Sequence, residues 1–412
     1  MATSFPDGFI WGASTAAHQT EGNNVNSDMW ASEGMFPGME RSGDACDSYH
    51  RWREDMQLLA DSGLTAYRFS VEWARIEPVE GEFSLAELGH YRRMIEHAIG
   101  LGLTPVVTLH HFTVPRWFSE RGGWFTEDAV SLFERYVERT AAILDGVEWV
   151  VTINEPNMLA MMVGMARAFA QAQQGGEQQE WQSPTVDGDH ADDQASRPQV
   201  LPAPDPEIGA ILVRAHEAAR TVLRARTKAK IGWSVANGAL VARPGSEARL
   251  LEEQRVREDL YLEPSKDDDF VGVQSYSSQW VGPDGVEPHP PHPDNTLVNT
   301  AYRPDALGIA VRHVAAVTGD TPILVTENGI ATDDDARRIA YTMEALGHLA
   351  EAIKDGADVR GYLHWSLLDN FEWGHWEPTF GLVAVDRETF ARTPKPSLAW
   401  LGSVAQNGGI DS

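Results

Sequence analysis

The sequence predicts a single α/β domain spanning residues 1–412, built as one (β/α)8 barrel with long βα loops at its C-terminal face. Three observations carry this expectation. Eight short β-rich runs alternate with longer stretches of helical period, none of the runs shows the polar alternation of a half-solvated strand, and 412 residues suit one barrel with insertions. An open doubly wound sheet usually has only about five or six strands.

In chain order the runs are Phe9 to Ser14 (FIWGAS), Ala66 to Val71 (AYRFSV), Thr104 to His110 (TPVVTLH) and Trp149 to Asn154 (WVVTIN). After them come Lys230 to Ala236 (KIGWSVA), Phe270 to Tyr276 (FVGVQSY), Pro322 to Asn328 (PILVTEN) and Gly361 to Ser366 (GYLHWS). Between them, apolar stripes predict helices: Leu88, Tyr91, Met94, Ile95 and Ile99, then Phe133, Tyr136, Val137, Ile143 and Leu144, then Ile339, Met343, Leu346, Leu349 and Ile353. The stretch Gln171 to Asp205, rich in Gln, Asp, Gly and Pro, breaks this rhythm and reads as a low-complexity acidic loop inserted in the barrel, bordering the mouth. Four strands lie on each side of it, so neither half could close a barrel alone.

Composition narrows the function classes. Hydrophobic residues at 42% and charged residues at 23% describe a chain with a core to bury, not a disordered one. With 33 basic against 61 acidic residues the net charge is −28, which repels phosphate backbones and anionic lipid surfaces, so neither nucleic acid nor membrane is an expected partner. No run approaches the ~20 apolar residues of a membrane helix. The lone Cys46 forms no intramolecular disulfide and the amino terminus lacks a signal-like pattern, so the expected location is cytoplasmic. Fourteen Trp, fourteen Phe and nine Tyr supply both core filling and faces on which sugars or flat ligands stack.

In a barrel of this kind the working residues sit at the C-terminal strand ends. Two glutamates stand there: Glu155 after the fourth run in VVTINEPN, and Glu327 near the end of the seventh in ILVTENG. Each follows apolar or Thr residues and each neighbours an Asn. Two carboxylates facing one another across a barrel mouth suit glycoside hydrolysis, one protonating the leaving oxygen and the other attacking the anomeric carbon.

Those residues also carry a resemblance. TINEP and TENG resemble the acid/base and nucleophile motifs of glycoside hydrolase family 1, the β-glucosidase and β-galactosidase family. FIWGASTAAHQTEG resembles its opening strand, GDACDSYHRWREDMQLLADSGLTAYRFS its first helix and second strand, and GYLHWSLLDNFEW its eighth strand and following loop. NSDMW, VEWARI and TINEPN resemble the branch typified by archaeal β-glycosidases. The resemblance implies a retaining exo-β-glycosidase acting on small β-glycosides or oligosaccharides, with β-glucosides first and β-galactosides or β-fucosides plausible. It makes Glu155 the general acid/base and Glu327 the nucleophile, with Arg68 and Tyr276 supporting the nucleophile. Gln19, His111, Asn154, Trp365, Glu372 and Trp373 become the sugar-binding set.

Departures from the family pattern accompany it. Phe112 stands where Trp is usual, Gln274-Ser275-Tyr276 replaces Asn-Tyr-Tyr, and Thr379 replaces Arg in a segment one residue short. A 6-phospho-β-glycosidase is disfavoured because those relatives carry Ser at the position of Glu372 and a nearby Lys. A catalytically idle sugar-binding barrel is disfavoured by the two intact glutamates. No cofactor or metal is expected: there is no GxGxxG turn and no HExxH helix, and His110 and His111 are adjacent and point to opposite faces.

Overall fold

A computed structural model describes residues 3–34, 38–174 and 200–410. Eight parallel strands close a barrel: β1 (Ile10–Ser14), β2 (Ala66–Ser70), β3 (Thr104–Thr108), β4 (Trp149–Asn154), β5 (Lys230–Ala236), β6 (Val271–Gln274), β7 (Ile323–Glu327) and β8 (Val359–Trp365), with β8 pairing back onto β1. Each strand neighbours its sequence successor. The main helices are α1 (Ser48–Asp61), α2 (Leu85–Gly100), α3 (Ala129–Thr140), α4 (Pro156–Gln174), α5 (Pro206–Arg226), α6 (Glu247–Gln254), α7 (Ala306–Thr318), α8 (Asp335–Lys354) and α9 (Pro396–Asn407). A five-residue π-helical turn, Arg255–Asp259, follows α6.

The strands explain their own two-sidedness. Every residue of β2, β4 and β7 is buried, because one face meets the helices and the other lines the barrel. Inside, Ala66, Val106, Trp149, Val151, Phe270, Leu324 and Leu363 form an apolar plug at the N-terminal end, with Trp149 edge-on to Phe270 at 5.0 Å. Above the plug the inward positions turn polar, so the core ends where the site begins.

The strand limits shift at their ends. β3 stops at Thr108, so His110 and His111 lie on the loop beyond it, and β6 stops at Gln274, which leaves Tyr276 on a loop. In the helices, Ile99 and Met343 face solvent at 42% exposure, contrary to the stripes drawn through them. On α8 the buried face runs instead through Arg338, Tyr341, Ala345, Leu346, Leu349 and Ala352, because Arg338 reaches inward to the carbonyls of Thr332 and Thr379. Ile143 belongs to a short 3-10 turn after α3.

The expected loop from Gln171 to Asp205 is corrected at both ends. Gln171 to Gln174 are the last turn of α4. Asp205 caps α5, its Oδ1 accepting from the amides of Glu207 (2.9 Å) and Ile208 (3.1 Å), with Pro206 pre-set for the first helical position. Residues 175–199, the body of that loop, lie outside the described residues.

Close strand packing inside the barrel demands glycine at one telling position. A Cβ on Gly232 of β5 would sit 2.1 Å from the carbonyl oxygen of Phe270, which flanks β6, whereas a Cβ on Gly347 of α8 would meet nothing within 4 Å. Gly232→Ala should therefore lower the free energy of unfolding by about 1–3 kcal/mol or more, through overpacking against backbone. Gly347→Ala should raise it by about 0.5–1 kcal/mol by restricting the unfolded chain. Chemical denaturation of both variants checks this, and a neutral Gly232→Ala would refute the packing argument.

Candidate active site

Two interruptions in the strand ladder aim the glutamate-bearing strand ends. On β4, Trp149 and Val151 point into the barrel, so alternation would send Ile153 inward and Asn154 outward. The pairing of β4 with β5 shifts between Val151 and Asn154, and Ile153 joins the helix-facing core while Asn154 bonds to inward-facing groups. On β7, Leu324 points inward and Val325 outward, and a second shift against β6, between Val325 and Glu327, brings Glu327 to the interior. Glu155 follows at a left-handed φ of 44°, donating its amide to Ser234 O (2.7 Å) and accepting from Leu159 N (2.9 Å) as α4 begins.

Glu327 is 4% exposed and held from three directions. Its Oε1 accepts from Arg68 Nη1 (2.5 Å) and Gln274 Nε2 (2.8 Å), and its Oε2 accepts from the Tyr276 hydroxyl (2.5 Å). Arg68, fully buried on β2, spends its other donors on Thr108 Oγ1 (3.0 Å) and Asn154 Oδ1 (2.5 Å). Such completeness is required. A buried ion pair offsets its desolvation only when its remaining donors and acceptors are satisfied. Glu155, by contrast, is half-buried and has no side-chain hydrogen bond or ion pair among the described residues.

The electrostatics divide the two carboxyls. Burial pushes Glu155 well above the usual carboxylate range and the charge of Glu327 pushes it further, against only the pull of Arg68. Burial raises Glu327 as well, but Arg68, Tyr276 and Gln274 all draw it back. The balance of these effects favours the proton of the pair on Glu155. Tyr276 stays a donor, since burial and the neighbouring carboxylates hold its hydroxyl far above its ordinary range.

A second cluster forms the adjoining wall. Gln19 Nε2 donates to Asn370 Oδ1 (3.0 Å), Phe371 O (3.0 Å) and Glu372 Oε2 (3.3 Å), while Trp365 Nε1 donates to Glu372 Oε1 (3.1 Å). Burial pushes Glu372 up to about 8, with Trp365 opposing and the charge of Glu327 adding to the rise. His111 links the clusters: its Nε2 lies 3.4 Å from Asn154 Nδ2, and its ring runs nearly parallel to Trp365 (6.0 Å, 12°) and Trp373 (6.1 Å, 7°). Burial, then Arg68, keep His111 neutral. Gln19 Oε1 and His111 Nδ1 are buried polar atoms without a partner among the described residues, the kind that a hydroxyl-rich ligand satisfies.

All ten residues singled out in the sequence thus fall into one connected region. Others went unnoticed. Thr108 and Asn370 complete the Arg68 and Gln19 bonds, Tyr341 donates to Tyr276 O (2.6 Å), and His18 stacks on Trp373 (5.9 Å, 8°). Inward parity on β3 signals Thr108, and Asn370 lies beside Phe371 in DNFEW, but nothing local marks Tyr341. Among the departures, Phe112 adopts φ 66° and meets Trp373 edge-on at 5.0 Å, and Thr379 ties two loops through Thr332 O (3.0 Å). Gln274 joins the heart of the network. His110 packs outward against Trp124 and Phe133, away from His111.

Comparison with known proteins agrees with this geometry. The sequence profile of Glycosyl hydrolase family 1 matches residues 1–183 and 256–410. Thermostable beta-glucosidase B of Thermobispora bispora is 31% identical, over 99% of this chain and 92% of its own length. Among solved structures, beta-glucosidase 1317 superposes with a TM-score of 0.83 at 40% identity, covering 97% of this chain and 98% of that one. The β-glycosidase from Pyrococcus horikoshii gives 0.84 at 30% identity, covering 100% and 97%, in keeping with the archaeal-type motifs. The chain belongs to glycosyl hydrolase family 1.

Proposed function

We propose that the chain is a retaining exo-β-glycosidase whose first substrates are β-glucosides, with β-galactosides and β-fucosides accepted. The observation that carries this reading is the asymmetry of the two carboxyls: Glu327 is pinned by three donors, while Glu155 is unpartnered, partly exposed and favoured to hold the proton. Glu327 attacks the anomeric carbon as the glycosidic bond breaks, and the proton of Glu155 passes to the departing oxygen. Glu155, now a carboxylate, then takes a proton from water, whose oxygen displaces Glu327 from the anomeric carbon. Two inversions leave the configuration unchanged. Gln19, Glu372, Asn154 and His111 bind sugar hydroxyls, and Trp365 with Trp373 supplies the apolar faces. No metal or cofactor enters these steps.

A slow 2-fluoro glycoside with a good leaving group should accumulate as an ester, and peptide mapping should find it on Glu327. A label elsewhere, or product of inverted configuration by NMR, refutes the assignment. Glu155→Gln should slow substrates with basic leaving groups by about 10²–10⁴-fold and activated ones far less. It should also abolish the alkaline fall of kcat/KM, because activity is lost as pH rises through the elevated pKa of Glu155. Azide should rescue the corresponding Glu155→Ala enzyme as a β-glycosyl azide; uniform slowing without rescue would remove Glu155 from the mechanism.

Glu372 bears on selectivity. A half-buried carboxyl bonded to Trp365 and Gln19 suits sugar hydroxyls and offers no positive counter-charge to a phosphate dianion. Free aryl β-glucosides should therefore turn over faster than their 6-phosphorylated forms, and the reverse order would overturn this assignment.

A further inference from the structure

Gln274 is one of the three donors that pin Glu327, and its amide reaches a second group besides. It is the cross-strand neighbour of Glu327, the two Cα positions pairing directly between β6 and β7, and it is 1% exposed. Its Nε2 lies 2.8 Å from Glu327 Oε1 and 2.8 Å from Asn154 Oδ1, so both hydrogens of one NH2 group are committed. Its Oε1 is buried with no partner among the described residues. The structure keeps that unsatisfied oxygen because the alternative is worse: turning the amide over would set Oε1 against a carboxylate oxygen and a carbonyl oxygen together.

The consequence reaches Asn154. Its Oδ1 receives Arg68 Nη2 (2.5 Å) and Gln274 Nε2 (2.8 Å), which fills both lone pairs. The oxygen cannot turn outward without breaking both bonds. Its Nδ2 has His111 Nε2 at 3.4 Å and no second acceptor among the described residues, so one N–H remains for a ligand.

We propose that Gln274 is a positioning residue that sets two groups with one amide: it clamps the Glu327 carboxylate, and it locks Asn154 so that this residue meets the sugar as a donor and never as an acceptor. The span is specific to the side-chain length. An Asn at 274 is one methylene shorter, so from the same backbone position its amide falls short of the place that Nε2 holds between Glu327 and Asn154. This inference rests on Glu327 being the nucleophile.

Gln274→Met keeps the length and removes both N–H bonds; Gln274→Asn keeps the amide and removes the reach. Each is compared with the unsubstituted enzyme by 2-fluoro glycoside labelling, by the pH profile of kcat/KM, and with aryl glucosides lacking one hydroxyl at a time. In Gln274→Met, Glu327 should still take the label. The acidic limb should move up by roughly one pH unit, because a carboxylate that loses a donor is easier to protonate. In the unsubstituted enzyme, deleting the hydroxyl that Asn154 meets should cost about 10-fold or more in kcat/KM. In Gln274→Met that one penalty should shrink severalfold while those of the other hydroxyls stay as they were. Gln274→Asn should fall between, and it carries the same readouts if Gln274→Met does not accumulate as folded protein.

An unmoved limb together with an unchanged hydroxyl pattern, in an enzyme still labelled at Glu327, overturns the positioning role and leaves Gln274 as a space-filler. Absence of the label from Glu327 in the unsubstituted enzyme overturns the nucleophile assignment, and this inference with it.

Discussion

The buried pair between Arg68 and Glu327 sets the terms for everything around it. A guanidinium and a carboxylate taken out of water lose several kcal/mol of hydration each, and their mutual attraction offsets this only if the leftover donors and lone pairs are met. The barrel answers with a polar tier above its apolar plug: Thr108 takes one guanidinium edge, Asn154 another, and Tyr276 and Gln274 complete the carboxylate. Each of these then needs partners of its own. Tyr276 is held through its backbone carbonyl by Tyr341, and Asn154 reaches His111. The ion pair thus dictates the chemistry of strand ends on β2, β3, β4, β6 and β7 together.

That tier also explains why a strongly acidic chain can host a working acid. With a net charge of −28, a stray buried carboxyl would simply take up a proton. Arg68 opposes this at Glu327, whose charge then adds to the burial that lifts Glu155. Two chemically identical side chains, both lifted by burial, are set apart by the donors that Glu327 receives and Glu155 does not among the described residues.

How far this was legible in the sequence depends on whether a residue obeys strand alternation. The barrel itself was readable, since eight apolar runs and their intervening helices survive small shifts of boundary. Arg68 was named by motif likeness, and its place within AYRFS agrees, since a cation inside a buried strand faces a partner. Parity misassigns Asn154 and Glu327, because each stands beyond a register shift that the local sequence does not announce. Strand-end position singled out Glu327 and motif likeness named Asn154, where alternation alone would have turned both away. Gln274 was visible only as an irregularity, since its value lies in a length that matters solely once Asn154 and Glu327 stand on either side. The helical stripes failed at Met343 for a related reason: Arg338 rotates the buried face of α8 toward loop carbonyls that no local pattern encodes.

Phe112, Glu155 and Trp373 all adopt left-handed backbone angles, at φ 66°, 44° and 47°. For side chains of this size each such conformation costs about 1 kcal/mol or more relative to glycine. All three stand at the rim of the barrel, above the hydrogen-bonded tier. Glycine or asparagine would relieve the backbone at each of these positions, but at the same stroke it would remove a packed aromatic surface or a carboxyl from the mouth. Strain and chemistry in this protein therefore meet at three identifiable backbone positions, while the helices outside remain free to be stabilised without touching the chemistry.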